Sequence, residues 1–169
     1  MGGTFTRSSF AAQAKIQDNE VLGAISPVGR PHKKRSLADT LIRTLAGSQN
    51  RKPWSELFFD DTTATPLSIE KAGTLNVPFE CVRIAPSASN KQPWRLIRQK
   101  NAIHFFLKRT KGYGKAFKGI DLQAMDMGIA MCHFETAVNE CGLSGTWRNL
   151  DPALNKETLE YVTSFVIAG

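Results

Sequence analysis

The chain has 169 residues, a formal net charge of +7 and a sequence pI of about 9.5, with 41% of its residues hydrophobic and 22% charged. This is one domain's length, enough to bury a core without staples, and the composition excludes a disordered or fibrous chain. No apolar run reaches the roughly 18 residues of a membrane span, and three cysteines (Cys81, Cys132, Cys141) without a C-x-x-C spacing argue against a disulfide framework or a zinc site.

Taken in order, Ser8–Lys15 reads as a short helix that Thr6 can cap. Glu20–Val28 reads as a mostly buried strand ended by Pro27 and Gly29. Arg30–Arg35 is a basic linker. Ser36-x-x-Asp39 resembles a capping box and opens a helix with Leu37, Leu41, Ile42 and Leu45 on one face and Gly47 as its stop. Pro53 opens a turn of helix through Phe59. Thr65-Pro66 is placed as the N-cap and first position of a helix over Leu67–Leu75. Pro78–Ile84 is a further helical stretch ended by Pro86.

Trp94–Gln99 and Ala102–Arg109 flank Lys100-Asn101, a hairpin signal. The strongest helix runs from Asp121 to Cys141, with Ile120, Met125, Ile129, Phe134, Ala137, Val138 and Cys141 at helical spacing and Gly142 as the stop. Tyr161–Ile167 is a terminal strand. Mixed helices and strands leave α/β and α+β both open. The cysteines fall on helices and are expected to be slow, structural thiols in a reducing cytoplasm. Trp54 and Trp94 read as core anchors, Met125, Met127 and Met131 as packing, and His133 as a core or interface residue.

Two features of organisation stand out. Gly3-Thr4-Phe5-Thr6-Arg7 leads to Glu20-Val21 and a strand, as Gly145-Thr146-Trp147-Arg148 leads to Glu160-Tyr161-Val162 and a strand. Such internal similarity signals repeated units. Between Lys91 and Lys118 there are nine cations and no acid, a run that either binds an anion or forms a solvated face.

The stretch Arg83–Trp94, RIAPSASNKQPW, gathers small polar residues at one bend. It is either a tight connection whose Ser and Asn satisfy loose backbone groups, or a platform where a flat polar ligand meets Ser87, Ser89, Asn90 and Gln92. APSASNKQPW resembles the A-P-S-x-x-N-x-Q-P-W segment of the nitroreductase family of FMN enzymes. RKPWSELFF, FFLKRTKGYGK and DMGIAMCHFE add, in order, a resemblance to the single-chain, tandem-repeat TM nitroreductase branch, in which two repeats imitate the usual homodimer.

The resemblance implies an α+β fold, a mixed sheet flanked by helices with FMN between two halves. It implies hydride transfer from NAD(P)H to FMN and on to a nitroaromatic or quinone-like acceptor, with no catalytic nucleophile and no metal. It carries Pro86, Ser87, Ser89, Asn90 and Gln92 over as the flavin segment. Arg51 and Lys52 stand at the family's phosphate-binding cluster, although Pro53 occupies the place of a usual Ser. It also implies that residues 1–30 are the tail of a preceding nitroreductase-like half and 31–169 the second half. The partner is then a second copy or a missing N-terminal half, with neither membrane nor nucleic acid expected. The alternative is a non-catalytic module whose basic face meets a nucleotide or nucleic acid.

Overall fold

The computed structural model describes residues 7–17, 19–20, 22, 25, 28–30, 47, 50–62, 64–113, 120–150, 152 and 158–169. The expected helix over 36–47 lies outside this set apart from Gly47. Of the expected strand over 20–28, the described residues Glu20, Leu22, Ile25 and Val28 are not in a strand. Helix α1 (Arg7–Ala14) matches the first expected helix.

From Trp54 onward the chain builds an α+β fold. Helix α2 (Trp54–Leu57) runs directly into β1 (Phe58–Asp60). Then come α3 (Ile69–Ala72), a 3-10 turn (Gly73–Leu75), α4 (Asn76–Ile84), β2 (Trp94–Gln99), β3 (Ala102–Leu107), α5 (Leu122–Glu140), β4 (Gly145–Arg148) and β5 (Glu160–Ile167). The sheet order is β1-β2-β3-β5-β4; β1 and β2 are parallel and the other pairs antiparallel. The hairpin forms as expected, Gln99 opposite Ala102, with Lys100 at φ 53° in the turn.

The Thr65-Pro66 cap does not form. The Thr65 carbonyl accepts from Asp60 N at 2.8 Å and Leu67 N donates to the Phe58 carbonyl at 3.0 Å. The segment is thus spent extending the sheet edge beside β1, where Pro66 bridges Phe59. The helix starts later, capped by Ser68, whose hydroxyl accepts from Lys71 N. Phe58 and Phe59, read as helical, are strand residues because their backbone groups pair on both sides, with β2 and with this segment. Pro78 sits in the first turn of α4, where its missing N–H costs nothing.

The core lies between one sheet face and helices α4 and α5. Phe134 is fully buried at its centre. Its ring meets Phe79 at 5.7 Å, Phe105 at 5.4 Å and Phe165 at 5.5 Å, all edge-on. Phe79 continues to Phe58 and Trp54, and Phe165 to Trp147. The two tryptophans expected as anchors are core residues: Trp94 is fully buried, and Trp54 packs against the cluster while its indole N–H donates to the Leu67 carbonyl at 2.6 Å.

The inward face of α5 differs from the apolar spacing read in the sequence. It consists of Leu122, Gln123, Asp126, Met127, Ala130, Phe134, Ala137 and Val138, while Met125 and Ile129 are only partly buried and Cys141 is exposed. Phe134 therefore fills this chain's own core. Cys132 is exposed too and Cys81 partly exposed, so the cysteines are not the buried structural residues expected. Cys81, Cys132 and His133 line, with Val77 and Ala137, an apolar groove of about 340 Å3 between α4 and α5. No described helix is long and apolar enough to cross a membrane.

Strand β4 was not foreseen. Its register against β5 brings Gly145 opposite Ile167. A Cβ at Gly145 would lie against the ring of the buried Phe165 and 2.5 Å from the Val166 carbonyl oxygen. Gly145→Ala is expected to cost about 1–3 kcal/mol, because neither a sheet carbonyl nor a packed ring can retreat cheaply. A denaturation midpoint equal to that of the unmodified chain would refute this.

Candidate functional site

The segment Pro86–Gln92 leaves the end of α4 and enters β2. The Ala85 amide closes the helix on the Val82 carbonyl, and Pro86, which has no N–H, cannot extend it. Pro86 and Ser89 are exposed, Ser87, Ala88, Asn90 and Lys91 are half-buried, and Gln92 is 3% exposed. Ser89, Asn90 and Gln92 have φ of 49°, 51° and 46°. Left-handed backbone at three L residues within four positions is strained, and such strain persists only where surrounding contacts over-determine it.

Those contacts come from two sides. On one side stands the segment before α2. Arg51 Nη1 donates to Asn90 Oδ1 at 2.6 Å, and the Lys52 amide donates to Gln92 Oε1 at 2.8 Å. Asn90 Nδ2 donates to the carbonyls of Gly47 and Asn50, both at 2.6 Å. Gln92 Nε2 donates to Asn90 Oδ1, and the Gln92 amide donates to Ser87 Oγ at 2.9 Å. Of the seven residues singled out from the sequence, Arg51, Lys52, Ser87, Asn90 and Gln92 are thus joined within a single chain, and Pro86 and Ser89 belong to the same segment.

On the other side stand α5 and the segment that follows β3. Asp126 Oδ1 accepts the Ala88 amide at 2.8 Å. Gln123 exchanges bonds with Thr110, Arg109 bridges Asp121 and Glu160, and Tyr113 donates to Ser89 Oγ at 3.1 Å. Lys91 Nζ lies 5.9 Å above the Tyr113 ring. Arg95, 6% exposed, donates to the carbonyls of Gln92 and Trp94, and burial holds its guanidinium below the ordinary value.

Two residues of this site escaped the sequence reading. Asp126 is 2% exposed, has an Oδ2 without a partner among the described residues, and is pushed up to about 7 by burial, the Ala88 amide opposing. Its signal was a lone acid on the otherwise apolar 126–130–134 stripe of the helix. Tyr113 lies in a short Gly-Tyr-Gly run after β3, where no local pattern points to a contact with Ser89.

The basic run does not form one continuous face. Arg95 is internal, Arg98 pairs with Asp60 at 2.9 Å and bonds the Lys71 carbonyl, and Arg109 pairs with Asp121 and Glu160. Lys115 and Lys118 lie outside the described residues.

A family model described as "Putative TM nitroreductase" matches residues 1–138. The chain belongs to this family. A solved structure of a "putative nitroreductase" from Thermotoga maritima is 17% identical, with a TM-score of 0.44, over 70% of this chain and 41% of that one. This nitroreductase-family chain therefore spans less than half the length of that relative. No curated protein matches it.

In this nitroreductase-family chain the 86–92 segment offers small side chains, two serine hydroxyls and a nearby guanidinium, a donor set that suits a flat ring bearing a phosphate. Arg51 Nη1 and both serine hydroxyls already have partners within the chain, and so do the side-chain amides of Asn90 and Gln92. The two amides serve the segment's shape.

Proposed function

We propose that this protein is an FMN-dependent oxidoreductase of nitroreductase type, working in the cytoplasm. Family membership over residues 1–138 is the observation that carries this reading. FMN, when bound, supplies the ring that accepts hydride from NADH or NADPH and delivers it to a nitroaromatic or quinone-like acceptor. The chain's residues bind and orient. Pro86, Ser87 and Ser89 present a surface for the ring, Arg51 and Lys52 supply positive charge for the phosphate, and Asn90 and Gln92 brace the segment. No nucleophile or metal is required. A second copy, or a preceding half of which residues 1–30 form the tail, completes the site; residues 31–169 form the half described above.

Purified protein titrated with FMN, then with NADH or NADPH under anaerobic conditions, tests the reading. Flavin absorbance that travels with the protein and bleaches on addition of the nicotinamide is expected. Protein that neither binds FMN nor bleaches it would defeat the proposal. The saturated amides of Asn90 and Gln92 favour one other reading, a non-catalytic module with a basic surface. Colourless protein with steeply salt-dependent affinity for DNA would support that instead.

Asn90→Ala is expected to weaken FMN by about 1–3 kcal/mol, since it strands the Arg51 guanidinium and the carbonyls of Gly47 and Asn50 together. Fluorescence quenching of FMN measures this, and an unchanged affinity would remove Asn90 from the site.

A further inference from the structure

The left-handed run at Ser89, Asn90 and Gln92 is held on one side by Arg51, Lys52, Asn50 and Gly47. From the α5 side a buried side chain reaches the backbone just before it. Asp126 Oδ1 takes the Ala88 amide at 2.8 Å, across 38 positions of sequence. Its Oδ2 is buried with no partner among the described residues, an arrangement that ordinary folds avoid.

Among the described residues, neighbouring elements supply Asp126 with no counter-charge. On α4, Glu80 and Arg83 pair with each other. On β2, Arg95 is bonded to carbonyls and Arg98 to Asp60. On β3, His104 meets Ser164 at 2.7 Å. Asp121, on the same helix end, is paired with Arg109, and Lys91 in the segment itself lies over Tyr113.

We propose that Asp126 is the positioning residue of the 86–92 segment, fixing from the helix beneath it the backbone shape that a ligand meets. The identity of that ligand as a flavin rests on the function proposed above; the positioning itself does not. Because burial raises the carboxyl to about 7, the strength of the Ala88 bond changes with pH. The ionised oxygen accepts that amide more strongly than the neutral one.

Amide hydrogen exchange on the full, ligand-free chain tests the proposal. Exchange at residues 88–92 is expected to quicken about tenfold or more in Asp126→Ala and to return close to the unmodified rate in Asp126→Asn, which keeps the acceptor oxygen. Equal rates in all three proteins would overturn it. If Asp126→Ala does not fold, the unmodified chain decides. Its Ala88 amide proton resonance is expected to move downfield between about pH 5 and 9 and to stay still in Asp126→Asn. A still resonance in the unmodified chain would overturn the proposal. FMN titration separates the two readings: an unmodified chain that ignores FMN defeats the flavin assignment, while exchange and resonance data still decide the role of Asp126.

Discussion

Replacing Phe134 by alanine is expected to destabilise the fold by about 3–5 kcal/mol, the range for deleting a large buried aromatic. Phe134 is where three packing relations meet. Its ring touches Phe79 from α4, Phe105 from β3 and Phe165 from β5, so one truncation opens a cavity bordered by a helix and two strands. The surrounding side chains cannot collapse into it without abandoning their own ring contacts with Trp54, Phe58 and Trp147. Against a total stability of about 5–15 kcal/mol, this loss leaves a marginal domain. Chemical denaturation of both proteins reads the difference as a fall in midpoint at constant slope. A change below about 1 kcal/mol would mean that Phe134 does not centre the core as described.

The second large effect depends on pH. The Asp126 carboxyl is raised from an ordinary 3.8 to about 7, first by burial, with the Ala88 amide opposing and the Asp121 charge adding. The native state therefore holds this proton more tightly than the unfolded chain does. Its contribution to stability is fully present below pH 4, declines as pH climbs towards 7 and is lost above that. The span is about 3 pH units, or about 4 kcal/mol. Asp126→Asn keeps the acceptor for Ala88 and has no proton to lose. The variant and the unmodified protein should be nearly equally stable near pH 3, and the variant should lead by up to about 4 kcal/mol at pH 8. Stability curves that stay parallel between these limits would show that the carboxyl ionises in the fold as it does in water.

The sequence made regular, locally encoded elements readable. The hairpin about Lys100-Asn101, the terminal strand and the helix beginning after Asp121 each carry their own signals in pattern, turn and cap, and tertiary contacts reinforced them. Elements decided by pairing were harder. Phe58 and Phe59 look helical beside Trp54-Ser55-Glu56-Leu57, yet β2 on one side and the 65–67 segment on the other claim their backbones. Gly145–Arg148 is four residues long and polar at alternate positions, and it becomes a strand only because β5 offers an edge. At the candidate site, residue types and order brought Arg51, Lys52, Asn90 and Gln92 forward. Their mutual bonding was not legible, because no local pattern states that a guanidinium and an amide some 39 positions apart will meet. Asp126 was hidden by the same logic: periodicity ranks apolar residues and passes over the one acid among them.

The order of the sheet also constrains how the chain matures during synthesis. Strand β5 lies inside the sheet, between β3 and β4, although it follows the other described strands in chain order. Until residues 160–167 emerge, β3 displays an open edge of unpaired amides and carbonyls, β4 has no partner, and the ring of Phe134 lacks Phe165. A ribosome adds about 5–20 residues per second, so the half-finished sheet is displayed for a second or more. Over that interval the nascent chain offers chaperones, or other copies of itself, a template for strand addition. It withdraws that template only when β5 closes the gap.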